Sequence, residues 1–205
     1  MYDSGITAKS LIDNVASEAD ITIPIASDSW YRWINAVEQF VYTEIFKEYA
    51  AETLGIGLII DNKINLNNDI TTARGCATPN FDDIIKIYAD ETELDRTSVI
   101  SGLVFLDKPL YYTDYNNNVV LMLADTAPNE ITVVYRIRPR LKSASVNDNI
   151  CLPVEFVDML AARMRAEAYK IANEDTLSAN WMADYNTQLE SLKIWASMRN
   201  DRYGE

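Results

Sequence analysis

The sequence predicts an α+β fold, a helical bundle body of about four helices with an inserted antiparallel β lobe. Three observations predict it. Apolar residues recur at spacings of three and four near both ends of the chain. The middle holds short runs rich in β-branched residues, separated by Asn, Asp, Gly and Pro. The composition is that of a globular protein, 48% hydrophobic and 24% charged over 205 residues, enough to bury a core without disulfides or metals. The expected organisation is a single domain, 1–205. Residues 1–51 and 152–200 form the helical body, and 52–145 the β-rich lobe.

Thr7 caps a first helix running from Ala8 to about Ala19, with Leu11 and Val15 on one face. ITIPIAS (21–27) reads as an extended connector, because Pro24 interrupts helix. Ser27, Asp28 and Ser29 form a capping cluster ahead of a long helix over Ser29–Ala50. Trp30, Ile34, Val37, Val41, Ile45 and Tyr49 fall on one line of that helix, and Trp33 and Phe40 widen its apolar face. Gly55 and Gly57 end it.

In the lobe, the expected strands are Leu58–Ile60, Ile84–Tyr88, Val99–Phe105, Leu110–Thr113, Val119–Leu123 and Ile131–Ile137. DYNNN (114–118) is a hairpin loop, since Asn tolerates positive φ. Asn62–Asn68 reads as a surface loop. Pro153 suits the first turn of a further helix, where its missing N–H costs little, and Glu155 and Asp158 favour the same end through the helix dipole. Val157, Ala161, Met164, Ala168 and Ile171 make a narrow stripe with small residues. NEDTLS (173–178) breaks the helix. A last helix carries Trp181, Tyr185, Leu189, Leu192 and Trp195 on one face, and RNDRYGE frays.

The formal charge of −13 opposes non-specific binding to nucleic acid and to anionic membrane. The start of the chain shows no basic region followed by an apolar run, so no signal peptide is expected. No apolar stretch approaches the roughly 18 residues of a membrane span. Cys76 and Cys151 lie far apart and resemble no disulfide framework; they fit a reducing compartment, with a single disulfide left open. The chain has no histidine, which excludes the usual Ser–His and Cys–His nucleophile systems and the commonest metal ligand. Gly55 and Gly57 lack the third glycine and the preceding strand of a dinucleotide loop. Asp82 with Asp83 is a chance pair among 31 acidic residues. Asp61, Asn65 and Asp69 lack the glycine and glutamate of a calcium loop. No catalytic, metal or cofactor residue is expected.

The residues suited to protein contacts are aromatic or basic. Arg136, Arg138 and Arg140 alternate along the last strand, either countering nearby acids or facing an acidic partner or passing DNA. Tyr111, Tyr112 and Tyr115 cluster at the hairpin and are the expected exposed set. Trp30, Trp33 and Phe40 on the long helix join them. So do Trp181, Tyr185 and Trp195 on the last helix, and Arg199, Arg202 and Tyr203 in the tail.

The order of parts carries a resemblance. A strand ending ITVVYRIRPRL precedes the polar loop SVNDN and the helix start Leu152-Pro153. Then come the Ala-rich stretch Ala161–Ala168, the acidic break Glu174-Asp175 and a final helix around Tyr185–Leu192. With Ile6–Val15 and Trp30–Tyr49 ahead of it, this resembles the tailed-phage head–tail connector, or adaptor, proteins. The resemblance implies a virion subunit that assembles as a homo-oligomeric ring below the portal protein and binds tail or stopper proteins. The ring surrounds the DNA exit channel without specific nucleic-acid binding, and the subunit is monomeric in solution. It implies no enzyme activity, cofactor or membrane contact. The competing readings are another virion assembly factor, such as a tail-completion protein, and an enzyme with a metal held by carboxylates alone.

Overall fold

A computed structural model of the chain describes residues 2–18, 25–47, 49–55, 63–65, 77–97, 110–113, 118–122 and 128–203. The architecture is α+β, with helices at both ends and sheets between. The chain divides into two compact units. One comprises Met1–Lys47, Arg74–Ala77 and Arg138–Glu205; the other comprises Glu48–Ala73 and Thr78–Ile137.

The helical unit holds α1 (Ala8–Glu18), α2 (Ser27–Phe40), α3 (Val157–Ile171) and α4 (Asp175–Tyr203). Thr7 caps α1, its Oγ1 accepting the Ser10 N–H at 3.2 Å. The cap of α2 is Ala26, without a side-chain bond, rather than the Ser27–Ser29 cluster. Trp30, Tyr31, Trp33, Ile34 and Val37 are buried along α2.

The helix does not run on to Ala50. It rewinds into a π turn, Val41–Phe46, and stops at Lys47 in the left-handed region with φ 50°. The first strand follows at once, β1 (Tyr49–Gly55). Its sequence, YAAETLG, reads as helix by local propensity. Pairing with a β-branched partner strand overrides that preference.

α3 lies at the centre of its unit, packed against α1, α2 and α4. Its buried face is broad rather than a narrow stripe: Met159, Leu160, Ala161, Ala162, Met164, Ala166 and Ala168 are all enclosed, while Ile171 is exposed. The alanines let three helices approach one backbone. A short 3₁₀ turn, Val154–Phe156, precedes α3 after Pro153. The turn into α4 is brief, with Asn173 at φ 60° and the Ser178 hydroxyl donating to the Ala166 carbonyl at 2.9 Å. Tyr185, Leu189, Leu192 and Ala196 form the buried line of α4. The helix continues to Tyr203, into the polar stretch expected to fray.

In the other unit, β1, β3 (Ala77–Ala89), β4 (Thr92–Glu93) and β8 (Glu130–Pro139) form one sheet, ordered β1-β8-β3-β4. β1 pairs antiparallel with β8 from Tyr49↔Arg136 to Gly55↔Glu130. Along β8, Ile131, Val133, Tyr135 and Ile137 are buried, while Thr132, Val134, Arg136 and Arg138 occupy the other face. That alternation is the period of two read from the sequence. Asp90, at φ 51°, ends β3 and accepts the N–H groups of Asn129 and Glu130 at 2.9 and 3.1 Å.

A second sheet, ordered β2-β7-β6-β5, contains β2 (Lys63–Asn65), β5 (Asp95–Arg96), β6 (Leu110–Thr113) and β7 (Asn118–Met122). β6 and β7 form the expected hairpin, paired from Leu110↔Met122 to Thr113↔Val119. Part of the Asn-rich stretch expected as loop is instead β2. The β5–β6 pair is parallel, an exception to the antiparallel expectation. The expected strands Leu58–Ile60 and Val99–Phe105, with Pro24, Gly57, Asp61, Asp69, Cys76 and Tyr115, lie outside the described residues.

One polar constellation is buried in the helical unit. Glu38 of α2 and Lys142, both 0% exposed, form an ion pair. The other carboxylate oxygen of Glu38 accepts the Cys151 N–H at 2.6 Å. Asn35 clasps the Lys142 backbone twice, donating to its carbonyl at 2.9 Å and accepting its N–H at 2.8 Å. Gln39 donates to the Pro139 carbonyl at 3.0 Å. Lys142 Nζ also lies 3.6 Å from Cys151 Sγ, and Cys151 is disulfide-bonded. Burial holds the Glu38 carboxyl above its ordinary range, while Lys142 and the Cys151 N–H pull it back.

Removing one member strands the other charge in a dry site. Lys142→Met is therefore expected to cost about 3–5 kcal/mol, with the Glu38→Gln/Lys142→Met double variant recovering most of that loss. Denaturant unfolding of the single and double variants measures this, and additive losses would contradict it. A carboxyl raised by folding binds its proton more tightly in the native state. The stability linked to it is full below pH 4.5 and declines as pH rises through the raised value. The wild-type minus double-variant stability difference should fall over that interval; a flat difference would contradict the assignment.

Candidate assembly surface

Two features of the helical unit stand out at its surface. The first is an aromatic cluster where the chain's start meets the end of α4. The Tyr2 ring lies 4.8 Å from Phe46 and 5.3 Å from Trp195, centroid to centroid. Phe156 meets Trp195 edge-on at 5.6 Å. The Arg199 guanidinium covers this cluster, 4.9 Å from the Trp195 centroid and 5.3 Å from that of Tyr2. Each ring comes from a different local element. Phe46 stands on the π turn, Phe156 on the 3₁₀ turn, and Trp195 on α4.

The second is an open groove of about 540 Å³ lined by Phe40, Glu44 and Ile45 on one side and Lys193, Ala196 and Ser197 on the other. Phe40 is 40% exposed there. On the outward side of the same α4 segment, Ile194 and Met198 are 57% and 61% exposed. Exposed apolar side chains this size are unremarkable one at a time; Ile194 and Met198 stand one turn apart on α4. Among the described residues, no group of three or more His, Cys, Asp or Glu side chains could hold a metal ion.

The profile of one family, described as SU10 adaptor protein, matches residues 6–204. The chain belongs to this phage head–tail adaptor family. No curated protein matches it. The match begins ahead of α1 and reaches the end of α4, so it takes in residues of both units.

The residues expected to make protein contacts stand at different depths. Trp30, Trp33 and Tyr185 are buried in its own core. Trp30 and Trp33 meet edge-on at 5.1 Å, so they stabilise α2 from within. Tyr111 is 3% exposed, against the expectation of an exposed hairpin cluster. It faces inward because its register opposite Leu121 puts it on the buried side of β6. Tyr112 is half-buried. Burial also raises the hydroxyl pKa of both Tyr111 and Tyr185, against the opposing pull of Arg96 and Arg163 respectively.

The basic residues are partly engaged. Arg136 Nε lies 2.6 Å from Asp83 Oδ2, a charge contact without hydrogen-bond angles. Arg140 pairs with Asp148 at 3.0 Å. Arg138 is exposed and has no ion-pair partner among the described residues. Trp181 is half-buried under the Arg165 guanidinium at 4.6 Å, and Arg165 pairs with Glu18 of α1. The backbone of Arg202 and Tyr203 belongs to α4, and their side chains lie outside what is described.

Of the expected contact residues, Phe40 lines the groove and Trp195 and Arg199 belong to the aromatic cluster; Phe46, Phe156, Ile194 and Met198 were not among those expected. Ile194 and Met198 carried a signal, being apolar residues off the buried line of α4. Phe46 carried none, since the π turn shifts it from its α-helical place.

The Arg199 stack stabilises the closure of the cluster. Arg199→Ala is expected to cost about 1 kcal/mol, or roughly 2–4 °C in melting temperature. Lys193→Ala, which removes only an exposed pair with Glu190, should stay within about 0.5 kcal/mol. Thermal unfolding followed by circular dichroism distinguishes them; equal losses would contradict a stacking role.

Proposed function

We propose that this chain is a structural, non-catalytic subunit of the head–tail connector that assembles as a ring below the portal and links capsid to tail around the DNA exit channel. The family match over residues 6–204 carries this reading. Two further observations support it. The exposed apolar residues Phe40, Ile194 and Met198 give the helical unit a surface that a neighbouring protein would cover. The net charge of −13 suits a wall that DNA slides past, because phosphates are repelled rather than captured. The portal on one side and a tail or stopper protein on the other are the partners this role requires. Arg138 on the exposed face of β8 is a candidate contact to such an acidic partner surface.

Co-expression with the portal protein of the same phage tests the reading. The chain should elute with the portal as a complex containing several copies, and light scattering should show a much smaller species in the portal's absence. Phe40→Asp, Ile194→Asp and Met198→Asp should each lower co-assembly at least tenfold while leaving melting temperature within about 2 °C of wild type. Elution of the wild-type chain apart from the portal under all conditions would sink the proposal.

A further inference from the structure

Cys151 is disulfide-bonded, and the only other cysteine in the sequence is Cys76. A bond to a second molecule would need a sulfur that reaches the surface. Cys151 is 0% exposed, between Ile150 and Leu152, which are enclosed as fully. Its partner is therefore Cys76 of the same chain. The segment Arg74–Ala77 and Cys151 belong to the same helical unit, so the bond lies within one compact body.

The surroundings of Cys151 suit the thiol as well as the disulfide. Its N–H donates to Glu38 at 2.6 Å, and Lys142 Nζ stands 3.6 Å from its Sγ. Neither contact depends on the bond to Cys76. With that bond open, the ammonium still offers the sulfur a donor, and Glu38 holds the ammonium in place. A free Cys151 thiol is then a satisfied buried group rather than a defect. The folded unit accommodates both states, and the bond acts mainly on the unfolded chain. Closing it ties residue 76 to residue 151 around a loop that takes in β3 to β8, which restricts the unfolded ensemble.

We propose that Cys76 and Cys151 form a one-way redox lock: two thiols while the chain is in a reducing compartment, one disulfide after it leaves. The release setting rests on the virion reading above, since such a particle is built inside a cell and then enters oxidising surroundings. The oxidant is a small-molecule disulfide such as glutathione disulfide. Cys76 takes the first step, because Cys151 is enclosed. The Cys76 thiolate attacks one glutathione sulfur, breaks the glutathione S–S bond and releases one glutathione thiolate. The Cys151 thiolate then attacks the Cys76 sulfur and releases the second. The two protons lost by the cysteines are taken up by the two departing thiolates, so glutathione is reduced by two electrons and the chain is oxidised by two. Once closed, the bond is shielded at Cys151 from attack by external thiols.

The test uses the full chain made in a bacterial cytoplasm, with free thiols alkylated at lysis in one portion. The other portion is purified under reductant, transferred to glutathione disulfide and digested without reduction for mass spectrometry. Both cysteines should be alkylated in the first portion. In the second, a peptide joining Cys76 to Cys151 should form while the chain stays monomeric on a non-reducing gel. The oxidised chain should melt about 5–10 °C above the reduced one. Cys76→Ser, which leaves the Cys151 site untouched, should melt within about 2 °C of the reduced wild type with or without oxidant. A bond already present at lysis overturns the lock in favour of a permanent staple. Thiols that stay free in glutathione disulfide, or a bond between two copies, overturn it outright. None of these measurements involves the portal, so their failure leaves the assembly reading standing, and failure of portal co-elution removes only the release setting.

Discussion

The helical unit depends on a buried ion pair between two parts of the chain that are distant in sequence. Glu38 stands on α2, before the chain passes into the sheets; Lys142 follows β8, after it returns. Two charges without water are costly unless every remaining hydrogen-bonding site is met. The Cys151 N–H meets the second Glu38 oxygen, while Asn35 and Gln39 hold the backbone of Lys142 and Pro139 beside the pair. The result is a clasp rather than a simple salt bridge. It orients the segment that leads through Ile150, Cys151 and Leu152, all fully buried, into α3. Helix α3 in turn gives α1, α2 and α4 their common core.

Much of this fold was legible in the sequence, for reasons particular residues make plain. The alternation of Ile131, Val133, Tyr135 and Ile137 is a buried strand face, and the structure keeps it. The start of α3 after Pro153 and the turn at Asn173 follow from local chemistry alone. The end of α2 was not legible. Nothing in VYTEIF announces a π turn, and YAAETLG prefers helix until β8 offers it a partner. Tyr111 was misread for the same reason, because register decides which face a strand residue occupies.

The clasp itself was half visible. Glu38 lies on the apolar line of α2, four residues after Ile34 and next to Val37, where a charge needs a partner. Lys142 follows the arginines of β8 in sequence, yet it lies past the strand and is buried. The aromatic cluster was hidden more completely, since its rings come from elements spread over most of the chain. The same distinction bears on function. The three arginines that stack on rings, Arg163, Arg165 and Arg199, hold the helical unit together internally. What remains outward is apolar at Phe40, Ile194 and Met198, and acidic in overall balance. That combination suits contact with protein and avoidance of DNA.

An electron cryomicroscopy reconstruction of the phage neck tests the central claim most directly. The account predicts a ring below the portal whose repeating density is fitted by the helical unit described here, with α2 and the last turns of α4 at the boundary between subunits. A neck in which that position is filled by another protein, or in which Phe40, Ile194 and Met198 face open solvent in every copy, would contradict it.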